Sequence, residues 1–421
     1  MKALKTKSIQ KLLKVNQHKK ITLGLTRTQK ALKFINWEKP KSRILTISGT
    51  SAKFSILQIF KKILIDNKNS FAATYSPHIK SITERMEINS KLIKINVLKK
   101  ILNKVYKIPV PLTEFEKLCV AFAEFIKNKK TDYILAEFGL LGRLDAVRAL
   151  FPKPHIHIVA PIFFDHLHWT KTKKRNLKTL KEIVYEKISF LSADRIYISK
   201  QHSRSLKFIK YYLKKNSSKC FYYGRDFWLK KKNDKYFYQD KTRSFQIHSN
   251  LLGDFSHENA VIAIKISIDE GIAIPIIKKS LKKISMLLGR VQLIKSGKLR
   301  KGMPKSTLIF ADGAHNSLSS QRICNFLYQY KNRDLYAIIS MIKSKDPSSF
   351  LKPFKKFKKI FFTNMKQSNV YPKEQLNKIA KKLNIPSEIT KDYYTAIKTV
   401  GNKKKAIFLI TGSFYYLQDI I

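Results

Sequence analysis

Residues 44–55 read ILTISGTSAKFS, a short apolar run followed by Gly49 and a polar turn. The run is rich in β-branched residues and predicts a buried strand, and the residues after the turn predict a helix. A helix begins with unpaired amides and a partial positive charge, so the turn would face an anion. Lys53 would reach phosphate groups there, and the Ser55 hydroxyl would suit a magnesium ion. The stretch therefore predicts a phosphate-binding turn.

Two residues weaken this pattern. Ala52 and Phe54 stand where glycine lets backbone amides close on a phosphate. If position 52 needs a positive φ, alanine is strained there by about 1 kcal/mol or more. The Phe54 ring must leave the phosphate path, and we expect it to pack onto a neighbouring helix. Taken alone, the stretch also fits an ordinary strand-to-helix turn.

Length and composition indicate a two-domain globular protein. The chain has 421 residues, of which 44% are hydrophobic and 12% aromatic. It has no apolar run near the roughly 20 residues of a membrane helix, and its start lacks the apolar block of a signal peptide. Its three cysteines are far apart and lack metal-ligand spacing, which favours free thiols in a reducing compartment. We expect a cytoplasmic protein.

The net charge of +57, from 85 Lys and Arg against 28 Asp and Glu, raises the question of nucleic-acid binding. Such a protein would gather its cations on one face, among stacking aromatic residues. Here the lysines are spread along the whole chain. The composition favours a lysine-coated surface without a specific nucleic-acid site, although its field would attract anionic substrates.

Short apolar runs alternate with amphipathic segments along the chain, which predicts a mostly parallel sheet with helices on both faces. The predicted strands of the first part are residues 44–49, 133–139, 155–162 and 194–199, with helices at 114–130 and 179–191. The alternation restarts after residue 290, with predicted strands at 306–313, 335–340, 359–364 and 406–413. We therefore predict a first domain at 1–288 and a smaller α/β domain at 289–421.

Several motifs occur in a fixed order around this framework. They are Thr22–Arg27 (TLGLTR), Gly49–Ser55 (GTSAKFS), Tyr75–Ile79 (YSPHI), Ala136–Ala146 (AEFGLLGRLDA), Asp165-His166, Glu186-Lys187, Leu252–Ala260 (LGDFSHENA), Gly289-Arg290, Asp312–Asn316 (DGAHN), Lys345-Asp346 and Thr411–Ser413 (TGS). Together they resemble the folylpolyglutamate synthase and dihydrofolate synthase family of the Mur-ligase superfamily, whose phosphate loop reads GTNGKGS. The resemblance runs from about residue 20 to the end. It implies a Mur-ligase-like P-loop ATPase domain with a mostly parallel sheet, followed by a smaller Rossmann-like α/β domain.

The resemblance also implies site residues. Those implied to bind ATP are Gly49, Thr50, Ser51, Ala52, Lys53, Phe54, Ser55, Asn259, Arg290, Asp312 and His315. Those implied to bind the folate substrate are Tyr75, Ser76, Pro77 and His78. Two Mg²⁺ ions would be held by Ser55, Glu137 and His166, and the catalytic residues would be Lys53, Lys187, Arg290 and His315.

Without the family resemblance, three of these residues would be interpreted as structural or solvent-exposed residues with no role in a site. Glu137 ends a predicted strand, where open parallel sheets bind ligands, but a capping or salt-bridged glutamate is more common there. A lone histidine after a strand is usually structural, and His166 is chosen over His168 by resemblance only. Periodicity makes Lys187 a solvated helix lysine. In the family the equivalent lysine is carbamylated.

The reaction implied by the resemblance is ATP-dependent amide formation. The carboxylate of dihydropteroate, or the γ-carboxyl of a folate, would attack the γ-phosphate of ATP to form an acyl phosphate. The amine of L-glutamate would then displace phosphate. Positioning and charge neutralisation by magnesium, Lys53 and Arg290 would supply most of the catalysis, and the two domains would close around the nucleotide.

Alternatives remain open at this point. Ala52 and Phe54 are consistent with a degenerate member that binds folate or nucleotide without turnover. A Mur-type cell-wall ligase shares the loop, but the YSPHI and DGAHN segments favour the folate branch. A nucleic-acid binder would need clustered charge. The family suggests a monomer, and the sequence does not separate dihydrofolate synthesis from polyglutamate extension.

Overall fold

The computed structural model describes residues 9, 13, 23–164, 179–284, 287–367, 369–401, 405–418 and 420. They fall into two compact units. The first lies within Met1–Phe163, Trp169–Ser249 and Glu258–Lys283, and the second within Phe164–His168, Asn250–His257 and Ile284–Ile421. No helix in the described ranges is long and apolar enough to cross a lipid bilayer.

The first unit is built on a mostly parallel sheet. Its strands are β1 Arg43–Ser48, β2 Phe71–Thr74, β3 Met86–Ile88, β4 Lys91–Leu92, β5 Tyr133–Glu137, β6 Ile156–Val159, β7 Arg195–Ile198 and β8 Lys219–Tyr222. They are arranged in the order β4-β3-β2-β5-β1-β6-β7-β8. Strands β3 and β4 are antiparallel to their neighbours, and the other six are parallel. Strand β1 therefore lies between β5 and β6, near the centre of the sheet.

Helices cover this sheet. In chain order they are α1 Thr26–Phe34, α2 Lys53–Asp66, α3 Ile95–Tyr106, α4 Glu114–Ile126, α5 Ala146–Leu150, α6 Leu180–Ile188, α7 Ser203–Leu213, α8 Asp254–Asp269 and α9 Ile274–Lys282. Capping boxes begin α4 and α6, where Thr113 and Thr179 each accept from the amide of a glutamate three residues on. The apolar faces of α3 and α4 pack in the same core as Ile44 and Ile134 of the central strands.

A separate antiparallel sheet belongs to the first unit. Its strands are β9 Phe227–Lys232, β10 Lys235–Asp240 and β11 Ser244–Ile247, with β10 in the middle. The turn between β9 and β10 is the pair Asn233-Asp234, both at positive φ, as two-residue hairpin turns require.

The second unit has a six-stranded sheet. Its strands are β12 Gln292–Leu293, β13 Leu308–Ala311, β14 Asp334–Ile339, β15 Lys359–Phe362, β16 Ser387–Ile389 and β17 Ala406–Thr411, in the order β12-β13-β17-β14-β15-β16. Only β12 is antiparallel among them. The helices are α10 Ser317–Leu327, α11 Pro347–Leu351, α12 Lys373–Lys382 and α13 Tyr393–Val400. Alternate residues of β17 enter two different apolar cores, so both faces of the sheet are covered.

The predicted fold class is confirmed. Each strand predicted from the sequence overlaps an observed strand, and both predicted helices contain an observed one. The sequence reading missed the antiparallel strands β3 and β4 and the sheet of β9 to β11. These strands are short or polar and partly exposed, so they lack the continuous apolar run of a buried parallel strand.

A buried carboxylate ties the amino ends of three strands together. Glu270 follows α8, and its side chain is only 2% exposed. It accepts hydrogen bonds from Arg43 Nε at 2.5 Å, from the Tyr133 hydroxyl at 3.0 Å and from Arg195. These three donors begin β1, β5 and β7. Glu270 therefore stabilises the sheet at the edge opposite to the turn that follows β1.

Removing this carboxylate should destabilise the protein strongly. We expect Glu270→Gln to lower the free energy of unfolding by about 3 kcal/mol, because it leaves Arg195 part-buried without its counter-charge. Urea unfolding followed by circular dichroism measures the change. In the matched control, Asp334→Asn removes the acid of the exposed Lys358–Asp334 pair and should cost less than about 1 kcal/mol. Equal losses in the two variants would contradict the assignment.

Candidate functional site

The turn after β1 passes directly over the end of β6. Gly49 has φ +146°, and a Cβ built on it would lie 2.7 Å from the Ala160 Cβ and 2.9 Å from the Ala160 carbonyl oxygen. Both the space and the backbone conformation exclude any side chain here. Gly49 is therefore required for the chain to turn from the central strand into α2.

The next two residues of the loop are fixed by the segment that follows β6. The amides of Thr50 and Ser51 both donate to the Pro161 carbonyl, at 2.8 and 3.3 Å, and the Thr50 hydroxyl donates to the Phe163 carbonyl at 3.1 Å. The Ser51 hydroxyl is buried without a hydrogen-bond partner among the described residues. The amides that a phosphate would meet are therefore those of the first turn of α2.

Ala52 and Phe54 are accommodated in different ways. Ala52 precedes α2 with φ +67° and ψ −6°, the left-handed conformation in which an alanine is strained by about 1 kcal/mol or more. The Phe54 ring makes an edge-to-face contact with Tyr75, with ring centroids 5.3 Å apart. Tyr75 follows β2, so the Phe54 ring meets an aromatic side chain outside the helices. Its predicted packing onto a neighbouring helix stays a prediction.

Two lysines converge on the loop. Lys53 Nζ and Lys187 Nζ both donate to the Gly49 carbonyl oxygen, at 3.4 and 3.0 Å. Lys53 Nζ also lies 3.7 Å from a carboxylate oxygen of Glu137, and the other oxygen of Glu137 accepts from the Ser76 amide at 3.2 Å. The structure thus brings Lys53, Lys187 and Glu137 together at the carboxyl ends of β1 and β5.

Lys187 is only 1% exposed, so the periodicity reading of a solvated helix lysine was wrong. Its neighbour Glu186 explains how α6 is held. Arg143 donates to the Glu186 carboxylate from Nε and Nη2, at 3.1 and 2.8 Å, and the Arg143 amide donates to the Glu186 carbonyl at 2.8 Å. Arg143 belongs to the AEFGLLGRLDA motif, but no role was predicted for it from the sequence.

The Tyr75–His78 segment begins with a buried network. The Tyr75 hydroxyl donates to Glu87 at 2.7 Å, and Lys61 Nζ donates to the same oxygen at 2.9 Å. At the other end of the segment, Arg85 Nε donates to His78 Nδ1 at 2.9 Å. Burial, with Arg85 beside it, lowers the pKa of His78 to about 4, so this imidazole is neutral at physiological pH.

A buried histidine that the sequence reading did not single out lies under the loop. His157 on β6 is wholly buried between the hydroxyls of Thr46 and Ser48 on β1, at 2.7 and 2.9 Å. Burial lowers its pKa to about 3. The sequence did contain a signal for this cluster. Thr46 and Ser48 flank Ile47 in β1, and residues i and i+2 of a strand share a face, so the two hydroxyls lie on the same side of the sheet as His157 of the paired strand.

The predicted residues of the second unit also cluster. Burial raises the pKa of Asp312, whose two oxygens accept from the Val291 and Ala314 amides at 2.8 Å each. His315 Nδ1 lies 2.7 Å from the Gly313 carbonyl, so that nitrogen carries the hydrogen. The loop after β13 is therefore held to the residues that follow Gly289.

Phe414, which the sequence reading did not identify, joins these residues. The Arg290 guanidinium lies 3.8 Å from the centre of the Phe414 ring, a close cation–π contact, and His315 meets the ring edge-on at 5.8 Å. A Cβ on Gly313 would lie 1.8 Å from this ring. Gly313 is therefore needed to admit Phe414, which follows directly on the Thr411–Ser413 motif.

Two predicted site residues have no established contacts here. Asn259 is buried in α8, and nothing in the structure assigns it a role. His166 lies outside the described residues, as does Asp165. No group of three His, Cys, Asp or Glu side chains that could hold a metal occurs in the described ranges. Ser55 and Glu137 nevertheless carry the oxygen atoms that Mg²⁺ prefers as ligands. The Ser51 hydroxyl of the same loop is buried without a partner among the described residues.

No protein-family model matches the chain, but known proteins resemble it along nearly its whole length. A protein of Buchnera aphidicola subsp. Schizaphis graminum named dihydrofolate synthase/folylpolyglutamate synthase is 24% identical over 397 residues, which cover 90% of this chain and 88% of that protein. E. coli FolC in complex with DHPP and ADP matches with a TM-score of 0.84 at 19% identity, covering 99% and 96% of the two chains. A bifunctional folylpolyglutamate synthase/dihydrofolate synthase with Mn, AMPPNP and L-glutamate bound has a TM-score of 0.80 at 18% identity, covering 96% and 94%. These matches confirm the resemblance and the fold class that the sequence predicted.

The buried histidines should make stability depend on pH. Unfolded histidine takes up a proton near pH 6.5, whereas His157 in the fold stays neutral down to about pH 3 and His78 to about pH 4. The unfolded state therefore binds more protons in this window, and stability falls as the pH drops below about 6.5. Asp145 opposes the trend, because burial raises its pKa to about 6 and the folded state keeps that proton longer.

The contribution of His157 can be isolated by comparing wild type with His157→Gln. Between pH 6 and 4, the wild-type free energy of unfolding should fall more steeply with decreasing pH, by about 1.4 kcal/mol per pH unit, because only the wild type has this proton to take up on unfolding. Urea unfolding at a series of pH values measures both slopes. Parallel slopes would contradict a buried neutral His157.

Proposed function

We propose that this chain, whose sequence and fold resemble those of the folylpolyglutamate synthase and dihydrofolate synthase family, is an ATP-dependent amide ligase. It joins L-glutamate to dihydropteroate, to the γ-carboxyl of a (tetrahydro)folate, or to both. The names of its relatives support this class of reaction. The nucleotide, DHPP and L-glutamate found in the structural neighbours support these substrates.

One observation carries the proposal for this chain. The Nζ atoms of Lys53 and Lys187 lie 3.4 and 3.0 Å from the Gly49 carbonyl oxygen, at the start of α2. Lys53 Nζ also lies 3.7 Å from a Glu137 carboxylate oxygen. A lysine at a helix N-terminus, beside a carboxylate that can hold a cation, suits the phosphates of ATP and their metal.

The reaction transfers the γ-phosphoryl group of ATP to the acceptor carboxylate, which releases ADP and leaves an acyl phosphate. The amine of L-glutamate then attacks the acyl carbon, and phosphate leaves as the amide forms. Lys53 and the amides of α2 hold the phosphates and stabilise the charge that develops on them. Ser55, Glu137 and His166 would hold magnesium, which would supply neutralisation of the phosphate charge. The family's carbamylated lysine corresponds to Lys187.

Residues of the second unit, and Asn259 of the first, supply further nucleotide contacts in this proposal. Arg290, Asp312 and His315 act on the phosphates and ribose of ATP, and Asn259 on the adenine. Residues 1–288 form the ATP- and folate-binding domain, and 289–421 form the ligase domain. The segment Tyr75–His78 binds the folate substrate. We infer a monomer that acts in the cytoplasm and has no specific nucleic-acid partner, since lysines are spread through both units.

A second candidate is a protein that binds nucleotide or folate without turnover. The strained Ala52 and the engagement of the Thr50 and Ser51 amides by Pro161 favour it. The hydrogen bonds to Pro161 occupy two amides that a phosphate loop normally donates to its ligand. The strained Ala52 alters the backbone just before α2.

A ligation assay separates the two candidates. Purified protein is supplied with ATP, Mg²⁺ and L-glutamate, together with dihydropteroate or tetrahydrofolate in parallel, and both amide product and released phosphate are measured. We expect glutamylated product from at least one acceptor, and at least a hundredfold loss, on the order seen when a preorganised charged donor is removed, in Lys53→Ala. Absence of product with either acceptor, alongside measurable ADP binding, would establish the non-catalytic binder.

The unusual loop residues give a further prediction. Ala52→Gly should stabilise the protein by up to about 1 kcal/mol and lower the KM for ATP, because glycine adopts the left-handed conformation without strain. Phe54→Gly should instead destabilise it by about 1 kcal/mol, because Tyr75 loses its aromatic partner. Thermal unfolding and ATP-dependent phosphate release measure both effects. Unchanged kinetics and stability in Ala52→Gly would mean that the loop has adapted to alanine.

A further inference from the structure

Three polar side chains lie buried beneath the phosphate loop, and the proposed reaction gives none of them a role. Thr46 and Ser48 are on β1, His157 is on the adjacent strand β6, and all three are fully buried. The two strands pair in register, with Thr46 opposite His157. Ser48 is the last residue before Gly49, so this cluster ends where the loop begins.

The hydrogens in this cluster can be assigned. We assign the Ser48 hydroxyl hydrogen to the Lys187 carbonyl, 3.3 Å away, because a carbonyl can only accept. In this assignment the imidazole donates from Nε2 to the Ser48 oxygen, at 2.9 Å. A neutral imidazole then has an acceptor at Nδ1, which takes the Thr46 hydroxyl at 2.7 Å. The result is a directed chain of hydrogen bonds from Thr46 through His157 and Ser48 to Lys187.

This chain meets the loop at a second point. Ser48 holds the backbone carbonyl of Lys187, while the side chain of the same lysine donates to the Gly49 carbonyl at 3.0 Å. Ser48 and Gly49 therefore fix Lys187 at two points, its backbone carbonyl and its side-chain Nζ. Because the cluster is buried, each hydrogen bond in it is costly to leave unmade.

The aromatic surroundings prevent the imidazole from turning away. Phe138 and Phe190 stack on each other at 5.8 Å and meet the His157 ring edge-on at 5.6 and 6.5 Å. The ring is thus confined between the two hydroxyls and the two phenylalanines. Its orientation is set by packing as well as by hydrogen bonding.

We propose that His157 is a positioning residue that acts through Ser48 to fix Lys187 against the phosphate loop. The proposal rests on the ligase function, in which the loop holds the phosphates and Lys187 is a catalytic residue beside it. Loss of the His157–Ser48 bond would free the Ser48 hydroxyl to turn and release the Lys187 carbonyl, so Lys187 Nζ would lose its fixed place at Gly49. The expected consequence is slower turnover with little change in acceptor binding.

The kinetic test compares four variants. His157→Leu and Ser48→Ala should lower kcat by about tenfold, because small displacements of reacting groups have effects of this order or larger, and should leave the KM for the pterin acceptor unchanged. His157→Gln, whose amide can donate and accept, should recover most of the loss. His155→Leu is the matched control. His155 directly precedes β6 and accepts from the Ile44 amide at 2.9 Å, at the end of β1 opposite to the loop.

Two readouts do not depend on turnover. The ¹⁵N spectrum of wild-type His157 should show hydrogen on Nε2 and none on Nδ1. Hydrogen exchange over residues 48–53 should be faster in His157→Leu and Ser48→Ala than in wild type or His155→Leu. An Nδ1–H tautomer, or unchanged exchange and kcat in both His157→Leu and Ser48→Ala, would overturn the proposal. Absence of product from wild type would overturn the ligase function and leave the exchange result to decide the positioning role.

Discussion

The close approach of Gly49 to Ala160 is the constraint on which the candidate site depends. Because no side chain fits between the end of β6 and the turn after β1, the loop backbone rests directly on the neighbouring strand. That contact brings the Thr50 and Ser51 amides to the Pro161 carbonyl and puts the Gly49 carbonyl within reach of two lysines. The site is therefore shaped first by backbone packing in the middle of a parallel sheet, and its side chains are arranged around that contact.

The first unit separates the groups that stabilise the sheet from those that serve the site. At the amino edge, Glu270 satisfies two arginines and a tyrosine. At the carboxyl edge, Ala52 is held in an unfavourable conformation and the Ser51 hydroxyl is left without a partner among the described residues. Unsatisfied and strained groups are common where a protein binds ligands, since the ligand supplies the missing interactions.

The sequence predicted the architecture well, because buried parallel strands leave unambiguous apolar runs and the motifs lie at their carboxyl ends. It also brought Lys53, Lys187 and Glu137 to one place, although only through resemblance. It failed where the outcome depends on three-dimensional neighbours. Periodicity placed Lys187 in solvent, and nothing in the sequence indicated that Phe54 would find Tyr75 or that Phe414 would lie over Gly313. Such contacts join segments far apart in the chain, so local patterns do not carry them.

The excess of lysine makes negative charge the scarce component of this protein. The chain has 28 acidic residues against 85 lysines and arginines, and the buried Glu270 alone accepts hydrogen bonds from two arginines and a tyrosine. Exchanging one surface lysine for a neutral residue would relieve repulsion and leave the fold intact. Exchanging a buried acid such as Glu270 would remove the hydrogen bonds that join several strands. Substitution should therefore cost less stability on the cationic surface than at a buried carboxylate such as Glu270.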